Sequence, residues 1–355
     1  MSEQSDVRRV DAEVLRNFIA TCFGKLDVPD DDATAVAGLM VEADLLGLDT
    51  HGSFRLRQYV NRLRDGGTNA KARPFVVQDK GAIAVVDGDN GLGHLGMVVA
   101  TALAMRKADE FGIGWVGVRN NNHAGPATLY VQMPMANNQI GLYAAVGSAN
   151  HVPPWGGADL LLGTNPIAIA VPAGKEPGFV LDMATTVAAA GKIKTLAQRG
   201  EQMPIGWMVG RDGLPLTDPT RQKEGLLLPI GGPKGYGLAM AIGLLAGTLN
   251  GAAFGRDVVD FSADTTTPTN TGQFIAAISV SAFGDVTAFQ EHTDAVFQDI
   301  KTSAPLPGHE SVRVPGDQRR SLYDERRTAG VPLHDGLIRA LDAIAGELGV
   351  ARLAA

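Results

Sequence analysis

Apolar residues recur every three or four positions between Asp11 and Leu63: Val14, Leu15, Phe18 and Ile19 in one run, then Val36, Leu39, Met40 and Ala43 in the next. That spacing puts them on one face of a helix and predicts a helical N-terminal unit. VPDDDATAVAGLM starts its helix with acids after Pro29, where carboxylates face the positive end of the helix dipole. Beyond RDGGTNAKARP the texture changes. AIAVVDG reads as a strand, GMVVATALAMRKADEFG as a helix ended by Gly112, and IGWVGVRN as a second strand. Between Gly112 and Gly251 the apolar runs IGLYAAVG, IAIAVP and GFVLDMA are short and punctuated by Gly and Pro, which predicts further strands. Helix returns in KGYGLAMAIGLLAGTLNG and QFIAAISV reads as a strand. The tail from Thr287 is helical, loops through PLPGHESVRVPGDQ and ends in amphipathic DGLIRALDAIAGELG. No period of about 20–50 residues repeats, which excludes a solenoid.

Helical ends thus flank a mixed α/β middle. Each end alone is a small core, so residues 1–75 are expected to pack with 287–355, leaving 76–286 as a mixed α/β unit. With 355 residues, 45% hydrophobic and 19% charged, the chain can bury a large interior. Its net charge of −7, with no cluster of Lys and Arg interleaved with aromatics, argues against nucleic acid or a membrane surface as partner and for a small molecule. Cys22 is the single cysteine, which rules out a disulfide framework or a thiolate zinc site and reads as a small half-buried hydrophobe. MSEQSDVRR lacks the apolar core of a signal peptide, and the later apolar runs are broken by Gly, so a cytoplasmic protein is expected.

One motif tests the fold directly. In VVDGDNGLGHLG, Gly91, Gly93 and Gly96 are spaced as G-x-G-x-x-G between a strand and a helix. A Rossmann phosphate loop needs the strand to feed almost directly into the first glycine, with an acid ending the next strand for the ribose. Here DGDN intervenes and brings Asp87 and Asp89 beside any diphosphate, while the next strand ends in Arg119 and Asn120. The favoured reading is a glycine-rich turn that starts a helix and builds the core.

DTHGSFRLRQYVNRL holds the densest chemistry. His51 titrates near neutrality and is followed by Gly52, and Arg55 four residues on can pair bidentately with a carboxylate. Together they suit a 2-oxo or 2-hydroxy acid. The same residues also read as a helix-capping histidine and a surface ion pair, and this stretch alone leaves both open. RNNNHAGPATLY places His123 after a strand and before Gly125, as a ligand contact or a hydrogen-bonded turn histidine. Lys234 in PIGGPKGYGL sits in a glycine-rich turn before a helix, where it suits a phosphate or plain solvation. A metal site from His51, His94, His123, His151 and Asp49 is a rival, although no pair has ligand spacing. A non-catalytic carboxylate-binding protein is another.

Seven segments, DTHGSFRLRQYVNRLRDGGTN, VVDGDNGLG, VRNNNHAG, PPWGGADLLLGTNPIAIAVP, LDMATT, PIGGPKGYGLAM and VRVPGDQ, occur in an order and spacing that resembles the type 2 malate/L-lactate dehydrogenase family over nearly the whole chain. That family includes ureidoglycolate and sulfolactate dehydrogenases, 2,3-diketo-L-gulonate reductase and a cyclic imine (Δ1-piperideine-2-carboxylate) reductase. The resemblance implies an NAD- or NADP-dependent oxidoreductase, a homodimer with a non-Rossmann cofactor fold, acting on a small carboxylate. It implies that protonated His51 donates to the substrate oxygen with help from Thr50, where Ser is usual; that Arg55 binds the carboxylate; and that His123 contacts substrate and is the acid/base in one branch. Ser148 and Thr164 are implied at the substrate. Gly125, Pro126, Ala127, Asp182, Met183, Ala184, Lys234, Pro315, Gly316 and Asp317 are implied at the cofactor, Asp317 standing where Glu is usual. Ala124 replaces an aromatic, which implies a missing pocket wall. Lys192 replaces an Asp of the cyclic imine branch and counts against that substrate. Arg57 and Arg62 are candidates to read a second acidic group, as in malate or sulfolactate, but surface ion pairing is the favoured expectation for each.

Overall fold

The computed structural model describes residues 7–353. The chain opens with strand β1 (Val7–Val10) and helices α1 (Ala12–Gly24) and α2 (Asp30–Leu45), then a 3-10 turn at Ser53–Arg55 leads into α3 (Leu56–Asp65). The Asp11 carboxylate caps α1 by accepting from the N–H groups of Glu13 and Val14, at 2.8 and 3.1 Å. Next come β2 (Phe75–Lys80), β3 (Ile83–Asp87), α4 (Gly93–Phe111), β4 (Ile113–Asn121), α5 (Thr128–Met135), β5 (Gln139–Ala145), β6 (Ile167–Val171) and β7 (Phe179–Met183). The remainder runs through α6 (Ala190–Arg199), β8 (Met208–Val209), β9 (Leu226–Leu227), α7 (Pro233–Ile242), β10 (Thr271–Ser279), α8 (Val286–Lys301), α9 (Asp317–Ala329), β11 (Val331–His334) and α10 (Asp335–Leu348).

Seven strands form one sheet in the order β2-β3-β4-β10-β5-β6-β7. Only β3 and β4 run parallel, joined by α4; every other pair in that sheet is antiparallel. The fold is therefore mixed α/β and not the parallel doubly wound arrangement of a Rossmann domain. β10 is almost wholly buried at the centre, between β4 and β5. The two chain ends meet: β1 pairs with β11, Val10 opposite Val331, and Leu15, Ile19, Phe23, Val36, Met40 and Tyr59 share one apolar cluster with Leu333, Leu341 and Ile344. Each such large apolar side chain, once buried, contributes about 1.5–3 kcal/mol. α8 is anchored elsewhere. Its Asp294 carboxylate accepts from the N–H groups of Gly174, Lys175 and Glu176 at 3.0, 2.7 and 3.1 Å.

The glycine motif does form a β-turn-α-β unit, yet its space is full. A Cβ on Gly93 would lie 2.1 Å from the Asn122 carbonyl oxygen and 2.5 Å from that of His123; one on Gly96 would lie 2.8 Å from Asn121 Oδ1, and one on Gly91 2.5 Å from Ala72 Cβ. These glycines let the segment carrying His123 pack against α4. Carbonyl oxygens occupy the place where a phosphate loop would need room and N–H donors.

Candidate active site

The segment after α2 is pinned from two sides. Asp44, 1% exposed, accepts from the Ser53 N–H at 2.8 Å, and Gly52 is obligatory because a Cβ there would fall 2.0 Å from Asp44 Oδ1. Arg326 of α9 donates to the Asp44 carbonyl at 2.5 Å and forms an ion pair with Asp49. Burial raises the Asp44 carboxyl to about 7, against the lowering effect of its Ser53 bond. Thr50 and His51 are held between these anchors. Thr50 Oγ1 lies 2.9 Å from His51 Nδ1, and its methyl fits against Gly191, where a Cβ would approach to 3.2 Å.

β4 delivers the second imidazole. The His51 and His123 rings stack with centroids 5.7 Å apart and an interplanar angle of 19°. The Tyr59 hydroxyl lies 2.6 Å from His123 Nδ1, and the Gly125 N–H donates to the same nitrogen at 3.3 Å. Phe261 closes the other side, 5.5 Å from the His123 ring and 5.7 Å from Tyr59. Arg55 Nε donates to the Thr50 carbonyl at 2.8 Å and its Nη1 to Gln58 Oε1 at 2.6 Å; among the described residues it makes no ion pair. A guanidinium beside two imidazoles with no carboxylate of its own is a site for an anion.

Electrostatics set the resting protonation. Burial, then the charges of Arg55 and Arg319, pushes His51 down to about 3, and burial with Arg55, His51 and His94 pushes His123 well below its usual value. Both rings therefore rest neutral in the free site at neutral pH. Burial raises Tyr59, so its hydroxyl keeps its proton.

A second feature is linked to His51 through the charge of Arg319. Thr128 donates its N–H to Asp182 Oδ2 at 2.9 Å, Arg319 donates to the Asp182 carbonyl at 3.4 Å, and the turn through Pro315 and Gly316 lies along β7, with the Val180 N–H bonded to the Pro315 carbonyl at 2.9 Å. Gly316 has φ +109°, a backbone only glycine adopts readily. A cavity of about 160 Å³ is lined by Thr128, Val180, Gly316 and Arg319 of this group, with Leu46 and Tyr323 among others.

A family model of malate/L-lactate dehydrogenases matches residues 10–342. The chain belongs to that family. It is 35% identical over 353 residues to a malate dehydrogenase of Pyrococcus horikoshii, covering 96% of each chain. It is 31% identical to the ureidoglycolate dehydrogenase (NAD(+)) of Escherichia coli K12, covering 94% of this chain and 95% of the relative, and 31% identical to the (2R)-3-sulfolactate dehydrogenase (NADP(+)) of Chromohalobacter salexigens, covering 84% and 87%. Among solved structures, sulfolactate dehydrogenase from Methanocaldococcus jannaschii superposes with a TM-score of 0.90 at 36% identity, covering 97% of this chain and 98% of that one. This chain is accordingly a dehydrogenase that uses NAD or NADP.

The dehydrogenase fold brings some expected residues together and separates others. Thr50, His51, Arg55 and His123 converge, whereas the Ser148 carbonyl accepts from the N–H of Phe261 at 2.9 Å, the residue whose ring lies against His123. Thr164 holds the end of β7 by accepting from the N–H and hydroxyl of Thr185 at 2.9 and 3.0 Å. Gly125, Pro126 and Ala127 lead into α5, whose Thr128 N–H meets Asp182; Met183 and Ala184 follow, half-buried. The Asp317 carboxylate is turned to Lys301 Nζ, 3.2 Å away, and accepts from the Val314 N–H at 3.0 Å. Lys234 stands exposed in the first turn of α7. His151 sits beside β9, its carbonyl accepting from Leu227, and no group of three or more His, Cys, Asp or Glu among the described residues is arranged to hold a metal.

Two expectations, on Ala124 and Arg62, meet a different structure. Ala124 is 3% exposed and packs in the core beneath the sheet, so its smallness opens no pocket wall; Tyr59 and Phe261 supply the aromatic walls. Arg57 does pair with Glu347 at 2.6 Å, but Arg62 is fully buried, donating to the carbonyls of Gly67 and Thr267 at 2.8 and 2.7 Å and to that of Asp264, with its guanidinium 4.8 Å over Phe261. Periodicity hides these residues, because Tyr59, Arg62 and Phe261 look like ordinary helix and loop positions until the loop carrying Phe261 folds back on α3.

Proposed function

We propose that the pocket around His51, His123 and Arg55 is the catalytic site, and that there this dehydrogenase interconverts a small 2-hydroxy acid and its 2-oxo acid, of the malate, lactate, sulfolactate or ureidoglycolate kind. The carrying observation is the placement of an ion-pair-free Arg55 beside two imidazoles whose rings are 5.7 Å apart. Arg55 fixes the substrate carboxylate, which leaves the C2 oxygen to the imidazole pair. Burial first, and then the charges of Arg55 and Arg319, keep His51 neutral; a bound carboxylate offsets the cationic part, so binding of a 2-oxo acid favours proton uptake by the site. Thr50 steadies His51 through Nδ1 and lets it present either a proton or a lone pair at Nε2.

A nicotinamide cofactor, when bound, gives or takes the hydride at its C4. We assign its cradle to Gly125, Pro126 and Ala127, to Asp182, Met183 and Ala184, and to the turn Pro315-Gly316-Asp317, with Lys234 at its edge. What supports this is a cavity lined by Gly316 of that turn, by Thr128 next to Ala127 and by Val180 of β7, and by Arg319, whose charge is felt by His51. Asp317 acts through the backbone of its turn, since its carboxylate is engaged by Lys301.

The assembly is a homodimer in this reading. Leu238, Met240, Leu244, Leu245 and Leu249, which are 36–63% exposed, lie on one helical stretch from α7 through the π turn Gly243–Gly247 to Asn250, an apolar face suited to a second copy. No helix among the described residues is long and apolar enough to cross a membrane. The free, buried Cys22 and the need for NAD or NADP support a cytoplasmic location. The test is oxidation of NADH and of NADPH, followed at 340 nm, with a panel of oxaloacetate, pyruvate, 3-sulfopyruvate, oxalurate and Δ1-piperideine-2-carboxylate. Turnover with a 2-oxo acid is expected; turnover of the cyclic imine alone would overturn the assignment.

A further inference from the structure

The two imidazoles are chemically similar, yet their surroundings differ in one respect that divides the work between them. His123 Nδ1 receives the Gly125 N–H, and an N–H can only donate, so this nitrogen presents its lone pair. The Tyr59 hydroxyl, 2.6 Å away, then also donates to Nδ1, and this short bond supplies most of the bias, because the Gly125 contact at 3.3 Å is too long to hold the tautomer by itself. Tyr59 cannot readily swing away: it is 1% exposed, and its ring lies edge-on against Phe23 at 6.4 Å, His94 at 5.5 Å and Phe261 at 5.7 Å. The single proton of a neutral His123 must therefore sit on Nε2. His51 is different. Its Nδ1 meets the Thr50 hydroxyl, which donates or accepts equally well, so Nε2 of His51 is free to carry a proton or a lone pair.

Resting on the catalytic reading above, we propose that Tyr59 is a positioning residue that locks His123 in its Nε2–H tautomer, so that His123 is a fixed hydrogen-bond donor to the substrate C2 oxygen and His51 alone transfers the proton. In oxidation the hydroxyl O–H bond breaks and its proton forms the Nε2–H of His51, while the C2 hydride leaves to the nicotinamide of the established dehydrogenase activity. His123 keeps its own proton throughout and donates to the oxygen as charge gathers there, a role worth about 10²–10³ in kcat for a well-aimed donor.

The experiment has a spectroscopic arm and a kinetic arm. The protein is labelled with ¹⁵N-histidine, and the ring of His123 is assigned by comparison with His123→Gln. We expect a neutral Nε2–H tautomer in the wild type between pH 6 and pH 8, and in Tyr59→Phe, which keeps the ring packing, a mixture or the Nδ1–H form. Kinetically, Gln at position 123 keeps an N–H donor near Nε2 but cannot shuttle a proton. His123→Gln should retain kcat within about tenfold, against a loss of about 10²–10⁴ for His51→Gln. Tyr59→Phe should lower kcat by up to about 10² with the carboxylate KM unchanged. A wild-type His123 protonated on Nδ1, an unchanged tautomer in Tyr59→Phe, or equal losses in His123→Gln and His51→Gln would each overturn the proposal. The spectroscopic arm needs no turnover, so a failure of the substrate assignment leaves it readable.

Discussion

Substituting Gly93 by Ala separates a packing glycine from a phosphate-binding one. The added methyl would start 2.1 Å from the Asn122 carbonyl oxygen and 2.5 Å from that of His123. Ordinary carbon–oxygen contacts lie at about 3.3–3.6 Å, so this segment must retreat by roughly 1 Å. It cannot do so freely, because the Asn122 carbonyl accepts from Gln273 Nε2 at 3.0 Å and the Asn122 amide donates to the Gly91 carbonyl at 2.9 Å. Overpacking of this kind costs about 1–3 kcal/mol of stability. A shift of that size at His123 costs catalysis about 10²-fold. The expected result for Gly93→Ala is thus a modestly lower Tm, a kcat/KM for the 2-oxo acid reduced by about 10², and a Kd for NADH, read by fluorescence titration, within a few-fold of wild type. A large rise in the NADH Kd with kcat preserved would refute the packing argument and put the cofactor diphosphate on Gly91–Gly96.

Other perturbations follow from the same geometry. Arg55→Met should raise KM steeply for carboxylate substrates while leaving NADH affinity nearly unchanged; parallel losses would remove Arg55 from the substrate. Arg62→Met strips charge-assisted bonds from the Gly67, Thr267 and Asp264 carbonyls, so urea unfolding should show a loss of about 3–5 kcal/mol. His94 is fully buried with both ring nitrogens unpartnered and is held down by burial to about 3, whereas the unfolded chain protonates it near the ordinary histidine value of 6.5. Since the unfolded state then binds more protons, this group removes stability as pH falls below about 6.5, by about 2 kcal/mol at pH 5. His94→Leu should flatten the acid limb of stability measured by denaturant unfolding at pH 5 and pH 7, and an unchanged limb would contradict that burial. Leu244→Glu with Leu249→Glu should convert a dimer to a monomer by light scattering, and an unchanged mass would dismiss that face as the interface.

Much of the fold is legible because period and punctuation agree. α4 ends at Gly112 with φ +81°, and the short runs between Gly and Pro become β5, β6 and β7. What is not legible depends on distant partners. β1 is four residues whose reason to be a strand is β11, more than 300 positions away, and α9 is a highly charged helix whose Arg326 is buried only because Asp44 and Asp49 await it. α5 contains Pro134, which argues against helix on local grounds, yet the Asp182 carboxylate at its start and the sheet beneath it prevail. In the site, His51, Arg55 and His123 stand out by residue type. Tyr59, Phe261 and Arg62 do not, because their roles arise when the loop at 261–267 packs against α3. The resting charge of His51 is likewise a property of its burial and of Arg319, which the chain supplies from near its other end.

In the proposed reaction, hydride passes directly to C2 of a 2-oxo acid held by Arg55. It is tested most directly by turning over the wild-type enzyme with NADH or NADPH deuterated at both C4 positions and weighing the product by mass spectrometry. One non-exchangeable deuterium is expected at C2 of the 2-hydroxy acid, formed at a rate that falls by about 10²–10⁴ in His51→Gln. A product without the label at C2, or a rate indifferent to His51, would contradict it.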